Sequence, residues 1–206
     1  LNGHDGNNDK GIYEIELDDF ARSEQCYQHN TAIVATTLYD THGSAVEITD
    51  FAPRFKQLGR VYRPTMSVRI IKPVIGNPRI RLRPVAEYGA RMPETTQGSN
   101  HIRYILPSVT LRLTTDVPVS FVQDEVPFVV EEPCTLILGP DETLKRAIAE
   151  TGRDFLERTT EYWREWCRYL FHPVRMAGSS DPRGNQALRL RGERRRDRRD
   201  DHVRAR

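Results

Sequence analysis

The sequence predicts a mainly β protein: an antiparallel sandwich or barrel, then one long C-terminal helix and a basic tail. Three observations predict this. From Gly11 to Leu138 apolar and polar residues alternate with period two, as half-buried strands do. Pro, Gly and Asp turns punctuate that alternation at short intervals, the spacing of an all-β body. After Gly139-Pro140-Asp141 the apolar period lengthens to that of a helix.

The elements follow in order. Residues 11–17 alternate apolar with acidic side chains. Residues 31–39 are rich in β-branched residues and end at the turn sequence Asp40-Thr41-His42-Gly43; with 45–51 they read as a hairpin. Further strands are expected at 65–72, 79–85, 101–106, 110–115, 119–123, 128–131 and 135–138. For the helix, Asp141 reads as the N-cap and Glu142 as a first-turn acid. Leu144, Ile148, Phe155, Tyr162, Trp166 and Leu170 share one face, and Glu142–Arg146 and Asp154–Arg158 are spaced as i,i+4 pairs. Gly152 marks a break or a close contact. A helix of this length needs something long to pack against. The organisation read from the sequence is thus a β body over 1–138, a helical linker over 139–172 and a disordered Arg-rich tail over 173–206.

Charge separates the tail from the body. Residues 1–172 hold 20 Lys+Arg against 24 Asp+Glu, whereas residues 173–206 hold 11 Arg against 5 acids. No apolar run is long enough to span a bilayer, and Leu1-Asn2-Gly3-His4-Asp5 carries no leader pattern. Cys26, Cys134 and Cys167 are odd in number and far apart, without metal or disulfide spacing, which fits a reducing cytoplasm.

Chemistry-bearing patterns are sparse. Arg79, Arg81, Arg83, Arg103 and Arg112 lie on the polar side of their strands; they read as a solvated face whose stems cover apolar surface, or as a cationic surface for an acidic partner. No aromatic residues interleave them, as a nucleic-acid stacking platform requires. Asp124-Glu125 and Glu131-Glu132 are sequence neighbours, so within a strand each pair points to opposite faces; they read as solvated charge rather than an acid/base pair. His4, His29, His42, His101, His172 and His202 show no metal-ligand spacing, and no phosphate-binding or nucleophile motif occurs. No catalytic, cofactor or metal residue is expected. Trp163 and Trp166, three apart on the helix, read as core or interface, with sugar stacking as the alternative.

Five stretches in order carry a family resemblance: Val46-Glu47-Ile48-Thr49-Asp50-Phe51-Ala52-Pro53-Arg54, Tyr62-Arg63-Pro64, Arg83-Pro84-Val85-Ala86-Glu87-Tyr88-Gly89, Leu111 to Pro118, and Thr160-Glu161-Tyr162-Trp163-Arg164-Glu165-Trp166. Over about residues 11–173 the chain resembles the N-terminal trehalase-like domain of bacterial glycoside hydrolase family 15 proteins, the glucoamylase and trehalase group. The resemblance implies a β-supersandwich and a helical linker leading into an (α/α)6 barrel that carries the catalytic glutamates of an inverting α-glucosidase. The barrel is not among these residues, so no residue inherits a catalytic role. On the same resemblance Leu1 is expected to fall a few tens of residues into the domain, past the family's usual opening. The implied partner is that barrel, with an α-glucoside as the whole protein's substrate, and Phe155, Tyr162, Trp163, Trp166 and Leu170 are the candidate interface with it. Left uncovered, this aromatic face would make the chain self-associate.

The tail has two readings. It is a basic arm for phosphate backbones, or a shifted frame: with GC-rich codons, reading one nucleotide later from Val174 continues the family's sequence as an amphipathic helix and a small-residue run. Two other functions stand beside the scaffold reading. One is a freestanding carbohydrate-binding sandwich using Tyr88, Tyr104 or the Trp pair, and the other is nucleic-acid binding through the tail.

Overall fold

The computed structural model describes residues 12–85 and 94–171. Compactness divides the chain after Phe171, and the second unit, 172–206, falls outside the described residues together with Tyr88 and the tail readings.

The elements in chain order are β1 (Ile12–Leu17), β2 (Phe20–Tyr27), β3 (Val34–Asp40), β4 (Ala45–Phe51), β5 (Phe55–Gln57), β6 (Arg60–Tyr62), β7 (Ser67–Ile75), β8 (Arg79–Val85), β9 (Glu94–Gln97), β10 (His101–Ile105) and β11 (Thr110–Thr115). Helix α1 (Val119–Gln123), β12 (Phe128–Val129), β13 (Cys134–Pro140) and helix α2 (Ile148–Phe171) complete them. Eight strands form one antiparallel sheet in the order β2-β3-β4-β7-β13-β11-β10-β9; β1, β8 and β12 form a second, and β5-β6 is a separate hairpin.

The two larger sheets face one another. Leu17, Ile80 and Leu82 of the small sheet bury against Val46, Ile71, Ile102, Leu113 and Leu136 of the large one. The opposite face of the large sheet is covered by α2: Ile33, Phe51, Val68 and Ile137 pack with Ile148, Phe155 and Leu156. The result is three layers around two cores, a mainly β architecture with one long C-terminal helix. Because β13 is covered on both sides, Cys134, Thr135, Leu136 and Ile137 are all buried.

The β3–β4 hairpin forms as its sequence predicts. Asp40 Oδ1 accepts from the His42 and Ser44 amides at 2.9 and 2.7 Å, and Gly43 takes φ +90°, where a side chain would be strained.

Four expectations are corrected. The helix begins at Ile148, not near Asp141, because Gly139 and Pro140 remain in the sheet opposite Arg112 and Leu111. Asp141 is drawn to Arg103 and Arg112 instead of capping, and Arg146 pairs with Glu150 rather than Glu142; Asp154–Arg158 forms as expected at 3.3 Å. Residues 119–123 are helix rather than strand: Pro118 starts a single turn whose Val119 and Val122, three apart, both enter the core. The strands at β2, β5, β6 and β9 lack a predicted counterpart, because most of their residues are exposed and carry no alternation.

The five arginines separate by sheet: Arg79, Arg81 and Arg83 form a partly exposed face of the small sheet, paired with carboxylates, whereas Arg103 and Arg112 lie on the large sheet around Asp141. Glu14 stands opposite Arg83 and Glu16 opposite Arg81 in the β1–β8 register. Arg83 reaches Glu16 at 2.6 Å and Glu125 at 3.1 Å, Arg81 reaches Glu16 at 3.3 Å, and Arg79 reaches Asp18 at 3.5 Å.

Gly152 is a close contact. A Cβ there would lie 2.7 Å from Thr135 Cγ2, on a buried β-branched side chain of β13 with little room to turn. On intrinsic helix propensity Gly152→Ala would stabilise by about 1 kcal/mol. We expect the overlap to win, with a net loss of about 1–2 kcal/mol in urea unfolding. Thr135→Ser in the same chain removes the offending methyl and should recover most of the loss; additive losses in the double variant would refute the steric account.

Candidate functional site

Helix α2 divides into a docked half and a projecting half. The docked half is held by the segment 52–62. The Arg54 amide donates to the Thr159 hydroxyl at 3.1 Å, and Arg54 Nε donates to the Tyr162 hydroxyl at 3.1 Å. Phe155 meets Phe55 and Tyr62 at centroid distances of 5.5 and 6.0 Å, and the Arg158 guanidinium lies 3.7 Å from the Phe55 ring centroid. Past the docked half, Lys56 pairs with Glu165 at 3.0 Å.

The five interface candidates therefore separate. Phe155 belongs to the core beneath the helix, and Tyr162 is half-buried against Arg54. Trp163 is half-buried between Tyr162 and Trp166, edge-on to both at 5.6 and 5.5 Å. Trp166 and Leu170 face solvent, 46% and 60% exposed. Tyr169, 72% exposed, joins them and was missed, because it lies off the stripe drawn through Trp166 and Leu170.

The same helix roofs a cleft of about 350 Å³ between its first turns, the β5–β6 hairpin, the segment 141–147 and the large sheet. Arg112 and Thr114 of β11 line its floor, Tyr62, Met66 and Phe155 its apolar wall, and Asp154 its rim. Arg103 and Arg112 stand directly opposite each other in the β10–β11 register, a like-charge pairing that Asp141 bridges. Arg103 takes the carboxylate's hydrogen bonds, with Nε at 2.9 Å from both oxygens, whereas Arg112 stands 3.6 Å away. These arginines hold the Asp141 carboxyl below its ordinary range. Partial burial, with the same two arginines behind it, lowers the His101 pKa.

The remaining candidates do not converge. Asp124 is exposed, and Glu125 is turned away to Arg83 in a positive-φ conformation. Glu131 and Glu132 are exposed in the loop before β13. Tyr104, offered as an exposed sugar platform, is buried and donates its hydroxyl to the Pro84 carbonyl at 3.1 Å. His42 pairs with Asp19 at 3.2 Å on the surface. Among the described residues no group of three or more His, Cys, Asp or Glu side chains could hold a metal ion. Burial pushes the Cys134 thiol up to about 12, which leaves it unreactive at neutral pH. No helix among the described residues is long and apolar enough to cross a membrane.

Comparison of the chain with family models, with curated proteins and with solved structures finds no match.

Two outcomes follow from this geometry. Thr159 is 0% exposed, so Thr159→Val removes the acceptor from a poorly hydrated Arg54 amide. We expect a cost of about 1–3 kcal/mol in denaturant unfolding and faster amide exchange in the projecting half of α2. Unchanged exchange there would show that this bond does not hold the helix. A lowered His101 pKa means that the unfolded chain takes up the proton first as pH falls. Stability is therefore full above the ordinary histidine value of 6.5 and declines as pH drops from there through the lower folded value. His101→Gln should flatten that part of the stability–pH curve, and an identical slope in both chains would count against it.

Proposed function

We propose that this chain is the non-catalytic N-terminal β-sandwich domain of a glycoside hydrolase family 15 protein, a scaffold for an (α/α)6 barrel that is not among these residues. The observation that carries the reading is the projecting half of α2. The helix that resembles the family's linker passes beyond its support on the sheet and presents Trp166, Tyr169 and Leu170 to solvent just before Phe171. Such a stripe is suited to burial against a further domain. The ordered motifs from Val46 to Trp166 support the same reading, and so does the engagement of Glu14, Glu16, Glu125 and Asp141 by arginines, which leaves them as structural ions. In the whole protein the barrel would hydrolyse an α-glucoside while this domain fixes the barrel's orientation. A second reading, direct sugar binding, is favoured by the exposed rings of Trp166 and Tyr169.

The purified chain should release no aryl alcohol from an aryl α-glucoside above background, and its tryptophan fluorescence should not respond to trehalose or maltooligosaccharides. Saturable sugar binding lost in Trp166→Ala would establish the second reading instead. Turnover abolished by altering one of the chain's own carboxylates would overturn the scaffold reading. The uncovered stripe should also make the chain self-associate, and the Trp166→Glu/Leu170→Glu double variant should return it to a monomer by light scattering.

A further inference from the structure

The cleft beneath α2 holds an imbalance that the fold does not use. On its floor the Arg112 side chain is only 10% exposed, and the one carboxylate its guanidinium pairs with, Asp141, is shared with Arg103. Its Nε donates to Thr114 Oγ1 at 3.2 Å, and its terminal nitrogens make no hydrogen bond among the described residues; Asp141, at 3.6 Å, is committed to Arg103. Those nitrogens reach solvent in the cleft, where an oxyanion would replace water with a charge-assisted acceptor.

The surroundings favour an anion. Arg112, Lys145, Arg146 and Arg158 line the cleft against two carboxylates, Glu142 and Asp154. Arg158 pairs with Asp154 at 3.3 Å, Arg146 with Glu150 at 3.7 Å, and Arg112 and Arg103 share Asp141, so that with Lys145 and Glu142 five cations meet four carboxylates. The opposite wall is apolar, built from Tyr62, Phe155 and Met66. A volume of about 350 Å³ lies within the range of small-molecule sites.

We propose that this cleft binds a small oxyanion-bearing molecule, its carboxylate or phosphate group on the terminal nitrogens of Arg112 and its body against the Tyr62–Phe155 wall. The site is independent of the scaffold reading, since it lies under the docked half of α2 and not on the projecting one.

The full chain tests this by titration with inorganic phosphate, acetate and benzoate, followed by amide chemical shifts. Saturable shifts at Arg112, Thr114, the 139–146 segment and Phe155 are expected. Benzoate binding more tightly than acetate identifies an organic carboxylate with an apolar body, and a response to phosphate alone identifies a phosphate group. Arg112→Met should weaken binding by about tenfold to a hundredfold, the worth of a charge-assisted hydrogen bond. Should that variant fail to fold, Lys145→Glu/Arg146→Glu, at two exposed positions, should weaken binding by about tenfold through charge alone. Absence of saturable shifts for all three probes, shifts confined to the Arg-rich residues 173–206, or unchanged affinity in the folded variants would overturn the proposal.

Discussion

Strand β13 has no free face, because the smaller sheet covers one side and α2 the other, and most of the molecule follows from meeting both demands at once. Its Leu136 and Leu138 point into the core between the sheets, while Thr135, Ile137 and Gly139 point toward the helix or the cleft beside it. A strand buried on both sides reads as a nearly continuous apolar run. Thr135 is the polar exception, a small β-branched residue whose backbone amide donates to Asp116 Oδ1 at 2.7 Å. The helix approaches closely only because residue 152 has no Cβ. Two distant sequence choices, a threonine in a strand and a glycine in a helix, are thus one steric decision.

Electrostatics then fixes register more than it adds stability. Glu16 is shared by Arg81 and Arg83, and Asp141 by Arg103 and Arg112. Partly exposed pairs of this kind are each worth little. A one-residue slip of β8 against β1, however, would carry Arg81 and Arg83 into the space of Ile80 and Leu82, which are fully buried. Asp50 and Arg69 play the same part deeper in, joined by two hydrogen bonds of 2.7 and 3.0 Å across β4 and β7.

What the sequence made legible were elements with one wet and one dry face. β8 and β10 alternate in burial because one side is partly solvated, so period two betrays them. β2 is wet on both sides as an edge strand and carries no such signal. Five residues of α1 fit either period, and only burial of both Val119 and Val122 decides for a helix. Gly139-Pro140 reads as a breaker, yet Pro140 is the last residue of its strand, where a lost donor costs little. The aromatic stripe of α2 was visible from spacing alone. Which part of it is covered was not, since that depends on Phe55 and Tyr62 in a hairpin about a hundred residues earlier. The cleft was invisible for the same reason: Arg112 and Thr114 meet Tyr62 and Phe155 only through the tertiary fold.

The two halves of α2 differ in what keeps them helical. Its 24 residues extend about 36 Å, longer than the part of the sheet that supports them. An isolated helical stretch of only two or three turns is marginal in water, so the projecting half depends on what it can borrow. It has the edge contact of Trp163 with Trp166, the Lys56–Glu165 pair, and a weak contact from the Cys167 thiol to the Asn30 carbonyl at 3.6 Å. None of these covers Tyr169 or Leu170. Folding therefore brings to the surface an ordered apolar stripe whose burial would supply the helix's missing support. That coupling explains why one element both completes the second core and offers an exposed apolar stripe: the docked half fixes the direction in which the stripe is presented.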